Sequence, residues 1–242
     1  RDRLEMQTDL LELSVITLVV LIGSASQAAM GMGLNLIAIP LLSLINPVFA
    51  PGPVLVASCA LSFLALWRVP ATVDRQELRF ALLGLMVGTA IAGCVAALID
   101  SSSLSRLLGL FVVVGVVLAL SGWSAALNHR NLVIAGGGAG FLGTIAGVHA
   151  PPIALLYQGL DPARVRGAIL TFVGIGNLLS IIALVTVGRF GSDQVLAALL
   201  MLPGVLIGLW LAPRLVRFIN AGFLRLLVLS ISAMSGLFLV FG

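Results

Sequence analysis

The stretch GVHAPPIALLY, residues 147–157, interrupts a long apolar part of the chain with a glycine, a histidine and two consecutive prolines. The upstream stretch GMGLN, residues 31–35, is a second break of the same kind. A break in an apolar tract is either a short loop between two buried helices or a deliberate interruption at a binding site. The composition and the charges of the rest of the chain decide between these interpretations.

The composition places both breaks in a membrane. Of 242 residues, 60% are hydrophobic and only 9% are charged, and the mean hydropathy is +1.21. Soluble domains carry about 25% charged residues, so this chain has too few to cover a water-facing surface. Its apolar runs are continuous and near the roughly 20 residues of a membrane-spanning helix, whereas the strands of membrane β-barrels alternate polar and apolar residues. We therefore expect an all-α, polytopic membrane protein without a separate soluble domain.

The net charge of +4 rests on thirteen arginines and no lysine. These arginines lie singly or in pairs between apolar runs, which is typical of charges that set membrane topology. We therefore expect the lipid bilayer, and no nucleic acid, as a partner. Cys59 and Cys94 both lie in apolar runs, so buried thiols are expected rather than a disulfide.

Ten apolar stretches predict the helices, and two of them are short for a full crossing. The short stretches, 31–46 and 151–160, each follow one of the breaks directly. Either 11–46 and 131–160 are single long crossings, or each is a helix–break–helix hairpin that returns to the side from which it entered. The other predicted helices are 53–67, 79–99, 104–124, 167–188, 194–213 and 221–241.

The arginines distinguish these two topologies. If both tracts are hairpins, nine arginines lie on one side of the membrane and four lie on the other, namely Arg1, Arg3, Arg106 and Arg189. If both tracts are single crossings, the split is six against seven. The positive-inside tendency favours the hairpins and makes the nine-arginine side cytoplasmic. We expect a bacterial cytoplasmic (inner) membrane protein with both termini on the periplasmic side.

An internal duplication agrees with the hairpins. Sliding the chain by 116 residues brings Gly31 onto Gly147 and Gly88 onto Gly204. Each half then contains one hairpin and three crossings, so the second half is inserted upside down, an architecture that recurs in transporters. We predict one transport domain built from two inverted repeats, residues 1–126 and 127–242.

The two breaks form the predicted binding site. Non-helical backbone is tolerated at membrane depth only where it is buried in protein or lines a cavity. Short helices that begin near Leu34 and Pro151 would direct unpaired N–H groups at an anion. His149 would contact the ligand or relay protons, although a histidine that only packs is an equal alternative. The predicted substrate-binding residues are Gly31, Gly33, Leu34, Asn35, Gln27, Gly147, His149, Ala150, Pro151, Thr144, Ser58 and Asn177, and His149 is the predicted proton-coupling residue.

Other small and polar residues have structural explanations. Pairs of glycines four residues apart predict close helix packing, and Tyr157 is expected to pack. No HExxH, CxxC, GxSxG or Walker-type pattern is present, so we expect no enzyme, metal site or cofactor. The glycine pairs are Gly84/Gly88, Gly136/Gly140 and Gly204/Gly208.

Two longer motifs resemble a known family. GFLGTIAGVHAPPIALLY, residues 140–157, resembles the second-half signature of the TauE/SafE/YfcA sulfite-exporter family, in which a G-F-x-x-G-x-x-G run leads into a break. SASQAAMGMGLNLIAIPLL, residues 24–42, is similar to the first-half motif. Leu34 and Asn35 stand where a run of glycines is usual, and His149 and Ala150 replace a Gly–Gly pair. The resemblance implies export of small sulfur-containing anions, such as sulfite or organosulfonates, coupled to the proton gradient.

We therefore predict a secondary transporter that exports a small anion by alternating access, and a homodimer is one assembly in which it could work. An anion channel that uses the same breaks is the first alternative. A non-transporting membrane assembly factor is the second, although the sequence offers no Cys/His/Met cluster for a metal.

Overall fold

In a computed structural model, the protein is predominantly helical over the described residues, 10–70, 73–122, 124–218 and 221–241, with no strand among them. Arg1, Arg3 and the two termini, which we predict on the periplasmic side, lie outside the described residues. A short 3-10 helix, Pro47–Phe49, connects the second and third α-helices. The α-helices are α1 (Leu10–Met30), α2 (Leu34–Ile45), α3 (Gly52–Arg68), α4 (Arg75–Leu98), α5 (Ser101–Leu120), α6 (His129–Ala146), α7 (Ala150–Ala154), α8 (Pro162–Thr186), α9 (Ser192–Phe218) and α10 (Ala221–Phe241).

Helices α1 and α2 form a hairpin around the first break. Asn46, which follows α2, donates a hydrogen bond through Nδ2 to Oε1 of Glu12 near the start of α1, at 3.3 Å. The chain therefore returns to the end of the bundle from which α1 begins. At the break itself, Leu34 lies beside Gly23 of α1, as expected for a second helix that runs back along the first.

Helices α6 and α7 turn back at the second break, from the opposite end of the bundle. The ring of His129, at the start of α6, stacks on Phe80 of α4 with centroids 4.0 Å apart. Tyr157, three residues after α7, donates a hydrogen bond to Oε2 of Glu77 in the first turn of α4, at 2.9 Å. A single crossing from 131 to 160 is therefore wrong.

The returning helix α7 is shorter than the apolar stretch 151–160 suggested. It ends at Ala154, and the N–H groups of Leu156 and Tyr157 bond to carbonyls only three residues earlier. This tighter pattern, followed by Gly159 with φ +79°, replaces helix with turns. The two hairpins therefore differ, since α2 has 12 residues and α7 has five.

Glycines bring four of the long helices into backbone contact. A methyl group on Gly84 or Gly88 of α4 would overlap the carbonyl oxygens of Val133 or Gly137 of α6. Likewise, a methyl group on Gly208 of α9 would overlap the backbone of α1. The small-residue spacing thus serves helix packing, as predicted. Gly136, Gly140 and Gly204 make equivalent approaches to Ala81, Leu85 and Thr17.

Aspartate and asparagine side chains fix where several helices begin. Asp74 accepts hydrogen bonds from the N–H groups of Gln76 and Glu77, which satisfies donors that the first turn of α4 cannot pair internally. These bonds stabilise the carboxylate and hold the pKa of Asp74 below its ordinary value. Asp100, Asn128 and Asp161 cap α5, α6 and α8 in the same way.

Large apolar side chains cover the outside of the bundle. On α4 they include Leu83, Val87 and Ile91, each at least half exposed. Within the described part of the chain, six helices are long and apolar enough to cross a membrane, judged by length and composition. They span Glu12–Met30, Pro47–Arg68, Arg75–Leu98, Ser103–Leu120, Pro162–Thr186 and Ser192–Arg214. An exposed surface of this kind suits lipid rather than water. The chain is an all-α, polytopic membrane protein, as the composition predicted.

Candidate functional site

A small cavity lies where the two breaks meet. Its volume is about 10 Å³, which is close to the minimum needed to hold one water molecule. An oxyanion of several atoms does not fit, so the site is closed in this conformation. The cavity is lined by Gln27, Gly31, Met32, Gly33, Asn35, Leu36, Gly147, Ala150, Pro151 and Val173.

Glycine is required at both breaks for backbone reasons. Gly33 precedes α2 with φ +148°, and Gly147 ends α6 in the left-handed conformation with φ +70°. Residues with a Cβ rarely adopt either conformation. A methyl group on Gly147 would also overlap the side chain of Ile39 in α2. The second break thus packs directly against the helix that leaves the first.

The start of α2 faces the cavity with uncapped backbone. Gly33 is the N-cap residue, and no side chain accepts a hydrogen bond from the first-turn N–H groups. Asn35 and Leu36, in that first turn, both line the cavity. Unpaired N–H groups and the positive end of a helix dipole favour an anion. Helix α7 contributes less than predicted, because it has five residues and Pro151 and Pro152 carry no N–H.

A chain of buried amides and hydroxyls surrounds the cavity. Asn35 donates through Nδ2 to the carbonyl of Gly147 at 3.0 Å and to Oδ1 of Asn177 at 3.1 Å. Asn177 in turn donates to Ser58 at 2.8 Å. Gln27 donates to the hydroxyls of Ser58 and Ser62, at 2.8 and 3.0 Å. The network therefore joins α1, α2, α3, α8 and the second break.

One acceptor at the cavity has no partner. Oδ1 of Asn35 is buried without a hydrogen bond in the structure. Its amide orientation is fixed, because Nδ2 already donates to two acceptors, Gly147 and Asn177. An unsatisfied buried acceptor costs about 1–3 kcal/mol, so a hydrogen-bond donor on a bound ligand would stabilise this site.

His149 and Thr144, both predicted to bind the substrate, lie outside the cavity. The imidazole is fully buried between Gly143 of α6 and Gly176 of α8, and neither His149 nor Thr144 is among the cavity-lining residues. For His149 the physical reason is the left-handed Gly147, because the reversal of the chain there directs the next side chains toward the helices. Thr144 precedes this reversal, and its hydroxyl bonds to the Gly140 carbonyl of its own helix.

His149 and Thr144 both approach Ser180 of α8. Thr144 donates its hydroxyl proton to the carbonyl of Gly140 at 2.8 Å, and its oxygen lies 2.8 Å from the Ser180 hydroxyl. Nε2 of His149 lies 3.1 Å from the same hydroxyl. Nδ1 is buried without a hydrogen-bond partner among the described residues.

Leu34 is the third predicted residue outside the cavity. It is fully buried against Gly23 of α1, because the two arms of the hairpin approach most closely there. The structure brings together nine of the twelve predicted residues. Seven line the cavity, and Ser58 and Asn177 belong to its hydrogen-bond network.

Sequence reasoning missed Met32, Leu36 and Val173 of the cavity and Ser180 beside His149. Met32 lies between the two break glycines, so its position is implied by the motif itself. Ser180 lies three residues after Asn177 on α8, and residues at this spacing share a helix face. That spacing was the feature of the sequence that could have predicted a polar face on α8.

A large vestibule of about 950 Å³ lies beside the closed cavity. Met32 lines both spaces, so they adjoin at this side chain. The vestibule extends to exposed residues at the Gln158–Gly159 turn. In the opposite direction, Ile39, Leu42 and Leu55 fill the space beyond the breaks with fully buried side chains. In this conformation the vestibule thus opens at the end of the bundle where the α6–α7 hairpin enters.

Metal ligation finds no support in the described part of the chain. No group of three or more His, Cys, Asp or Glu side chains converges there. Cys59 and Cys94 are both free, and Cys94 is exposed rather than buried as predicted, because it lies on the outward face of α4.

Comparison with known proteins identifies the family. No curated protein and no solved structure matches the chain. The family described as sulfite exporter TauE/SafE matches residues 15–239, which is nearly the whole chain. The chain therefore belongs to the TauE/SafE sulfite exporter family, a family of multi-pass membrane transporters.

Proposed function

We propose that this protein is a secondary transporter that exports a small sulfur-containing anion, sulfite or an organosulfonate, by alternating access. The observation that carries the proposal is the closed cavity between the two breaks. It lies inside a bundle of apolar helices, and it combines the uncapped start of α2 with the buried amides of Gln27 and Asn35. Substrate-binding sites of this kind recur at broken helices in transporters.

The donor groups support an anionic substrate without a charged side chain in the cavity. Backbone N–H groups at the start of α2 would bind the oxygens of the anion. The orphan acceptor Oδ1 of Asn35 would accept a hydrogen bond from a protonated oxygen of the substrate. A monoprotonated oxyanion such as hydrogensulfite satisfies both requirements.

The closed cavity favours a carrier over a channel. A channel needs a continuous aqueous path, whereas this cavity has a volume of only about 10 Å³ and the Ile39 and Leu42 side chains further along α2 are fully buried. Substrate binding therefore requires α2 or the second break to move. The assembly-factor alternative has no specific observation in its favour.

His149 is the residue we propose for proton coupling. It does not touch the cavity, so it would act through the break, which its backbone forms, rather than by direct contact with the anion. Its Nδ1 has no hydrogen-bond partner among the described residues and is the atom that would take up the proton, whereas Nε2 on the other side of the ring contacts Ser180. Protonation would place a charge in a slot built from two glycines and would favour another conformation of the break.

We propose a periplasmic location for both termini in the cytoplasmic membrane. Arginines support this orientation, since Arg68, Arg130, Arg164 and Arg166 lie at or near the helix ends around the vestibule, whereas Arg189 lies at the other end. The vestibule then opens to the cytoplasm, as an exporter requires before it loads. A homodimer remains part of the proposal.

The pattern of helix packing supports two inverted repeats. Helix α1 packs on α9 through the Thr17 and Leu21 carbonyls, and α6 packs on α4 through the Val133 and Gly137 carbonyls, which lie 116 residues later in the chain. The facing glycines, Gly84/Gly88 and Gly204/Gly208, differ by 120 residues. The two offsets differ by four residues, or about one helical turn, so this packing supports two repeats of which the second has one more turn before its glycine pair.

Sulfite flux in proteoliposomes tests the proposed function. Vesicles that contain the wild-type protein should transport sulfite at a rate that saturates with sulfite concentration. Sulfite on the opposite side of the membrane should accelerate this flux by exchange. Asn35→Ala should lose most of this flux, while Gln76→Ala, an exposed amide at the start of α4, should retain it. Flux that does not saturate would favour a channel. No sulfite or sulfonate flux in any condition would refute the proposal.

Collapse of a proton gradient across the same vesicles tests the coupling. Wild-type flux should fall, and flux of His149→Ala should be insensitive to the gradient while the protein stays folded. Gradient-dependent flux in His149→Ala would remove this residue from the coupling mechanism.

A further inference from the structure

Arg166, near the start of α8, borders three separate cavities. One is the vestibule of about 950 Å³, and the second is a space of about 250 Å³ between α1, α3 and α9. The third is a space of about 590 Å³ beside Val69 and Asp74. The side chain is partly buried. A cation in such a position faces water from several directions while apolar walls surround its stem.

One bond fixes the guanidinium group. Nε of Arg166 donates to the carbonyl oxygen of Ala28 at 2.6 Å. Ala28 lies in the last turn of α1, where carbonyl groups have no partner within the helix. This bond orients the planar group, and its two terminal nitrogens have no hydrogen-bond partner among the residues that the structure describes.

Neighbouring arginines differ in this respect. Arg164 forms an ion pair with Glu77 at 2.6 Å, and Arg68 donates through Nη1 to the carbonyl of Leu209 at 3.2 Å. No carboxylate forms an ion pair with Arg166 among the described residues. Its charge thus has no direct ion-pair partner, although Asp74 and Asp161 line the space of about 590 Å³ beside it.

The position of Arg166 connects the vestibule with the first break. Its own carbonyl lies against Gly31, and Ile169, one turn further along α8, packs on the same glycine. Met32, the next residue after Gly31, lines both the vestibule and the closed cavity. An anion bound to Arg166 would therefore lie one side chain away from the cavity.

We propose that Arg166 is the capture site for a small oxyanion in the vestibule, and that the anion moves from it past Met32 into the closed cavity. This inference rests on the proposed transport function. A guanidinium group presents two parallel N–H donors that match two oxygens of one anion. The site should therefore select sulfite and sulfonates, which offer two adjacent oxygens, over chloride, which offers a single acceptor atom.

Two substitutions separate capture from a structural role at α1. Arg166→Gln keeps an amide donor for the Ala28 carbonyl but removes the charge and the paired donors. Arg166→Lys keeps the charge but replaces the planar fork with a compact ammonium group. Arg164→Gln is the matched control, because it removes a charge two residues away that Glu77 already neutralises.

The test measures initial rates of sulfite transport and, separately, sulfite binding to the purified protein by calorimetry. Arg166→Gln should raise KM and Kd by about tenfold or more, as expected for the loss of a charged hydrogen bond, with kcat changed much less. Arg166→Lys should lie between Arg166→Gln and wild type. Arg164→Gln should stay within about twofold of wild type, and raised salt should weaken wild-type binding more than binding by Arg166→Gln.

The outcomes are distinguishable. If Arg166→Gln has the KM and Kd of wild type, Arg166 only caps α1 and the inference is overturned. If Arg166→Gln fails to fold, an unchanged Kd in Arg166→Lys overturns it, because the paired donors are then irrelevant. If wild type binds sulfite through Arg166 but transports none, the proposed function fails while the capture site stands.

Discussion

Gly143→Ala tests the slot that holds His149. A methyl group at this position would overlap the imidazole, and the ring cannot move away because Gly176 of α8 closes the other side. Overpacking of a buried site costs about 1–3 kcal/mol. Alanine gains about 1 kcal/mol over glycine within a helix, so we expect a net loss of up to about 2 kcal/mol in the free energy of unfolding.

Removal of the imidazole ring should reverse the sign of the change that Gly143→Ala causes in the free energy of unfolding. In a His149→Ala background the added methyl enters space that the imidazole has left, so Gly143→Ala should stabilise by up to about 1 kcal/mol through helix propensity alone. The coupling between the two sites is then about 1–3 kcal/mol, which is the range for residues in contact. Gly138→Ala is the control, because nothing lies within 4 Å of its added methyl group.

Denaturant titration in mixed micelles, followed by far-UV circular dichroism, provides the free energies for the four variants of the cycle and for Gly138→Ala. The reasoning is refuted if Gly143→Ala is as stable as Gly138→Ala, since the imidazole would then not lie against α6. The cycle also determines how transport by His149→Ala is interpreted, because it measures the packing contribution of the ring separately.

Three further substitutions test other parts of the structure. Gly147→Ala should lower the free energy of unfolding by at least about 1 kcal/mol from left-handed strain, and by more than Gly122→Ala, which has a similar φ in open space. Gly88→Ala should cost about 1–3 kcal/mol by overpacking, because its methyl meets immovable backbone of α6; a stability equal to wild type would contradict the contact. Burial, and then a hydrogen bond to a carboxylate of α4, raise the pKa of Tyr157. Because the pKa of Tyr157 is higher in the folded state, its neutral phenol contributes stability that is complete below the unfolded pKa of about 10 and is lost as the pH rises toward the folded pKa. The free energy of unfolding of wild type should therefore fall more steeply above about pH 10 than that of Tyr157→Phe. Parallel pH curves for the two proteins would refute this.

Much of the architecture is local and therefore readable from the chain. Apolar runs of the right length predicted the helices, and Asp74, Asp100 and Asp161 lie where helix-capping residues are expected. The glycine pairs correctly indicated close packing, because only small residues let two helix backbones approach. The two breaks were evident from Gly31 and Gly147, whose backbone conformations few other residues adopt.

The site was predictable only in part. Asn35 and Asn177 are 142 positions apart, yet each amide needs the other as a partner. Their meeting depends on how α2 and α8 cross, and sequence periodicity carries no information about crossing. Arg166 shows the same limit, since its charge indicated membrane topology but its three neighbouring cavities exist only after α1 packs beside α8.

The sequence by itself determined that this chain is an all-α membrane protein with two interrupted hairpins, because hydropathy and glycine conformations act within a few residues. The tertiary structure decided which side chains face the cavity. His149 was the most conspicuous residue of the second break, but the left-handed turn at Gly147 directs it into a slot between Gly143 and Gly176. The direction of a side chain after a break depends on the backbone reversal and on the helices that receive it, and neither is encoded in the neighbouring residues alone.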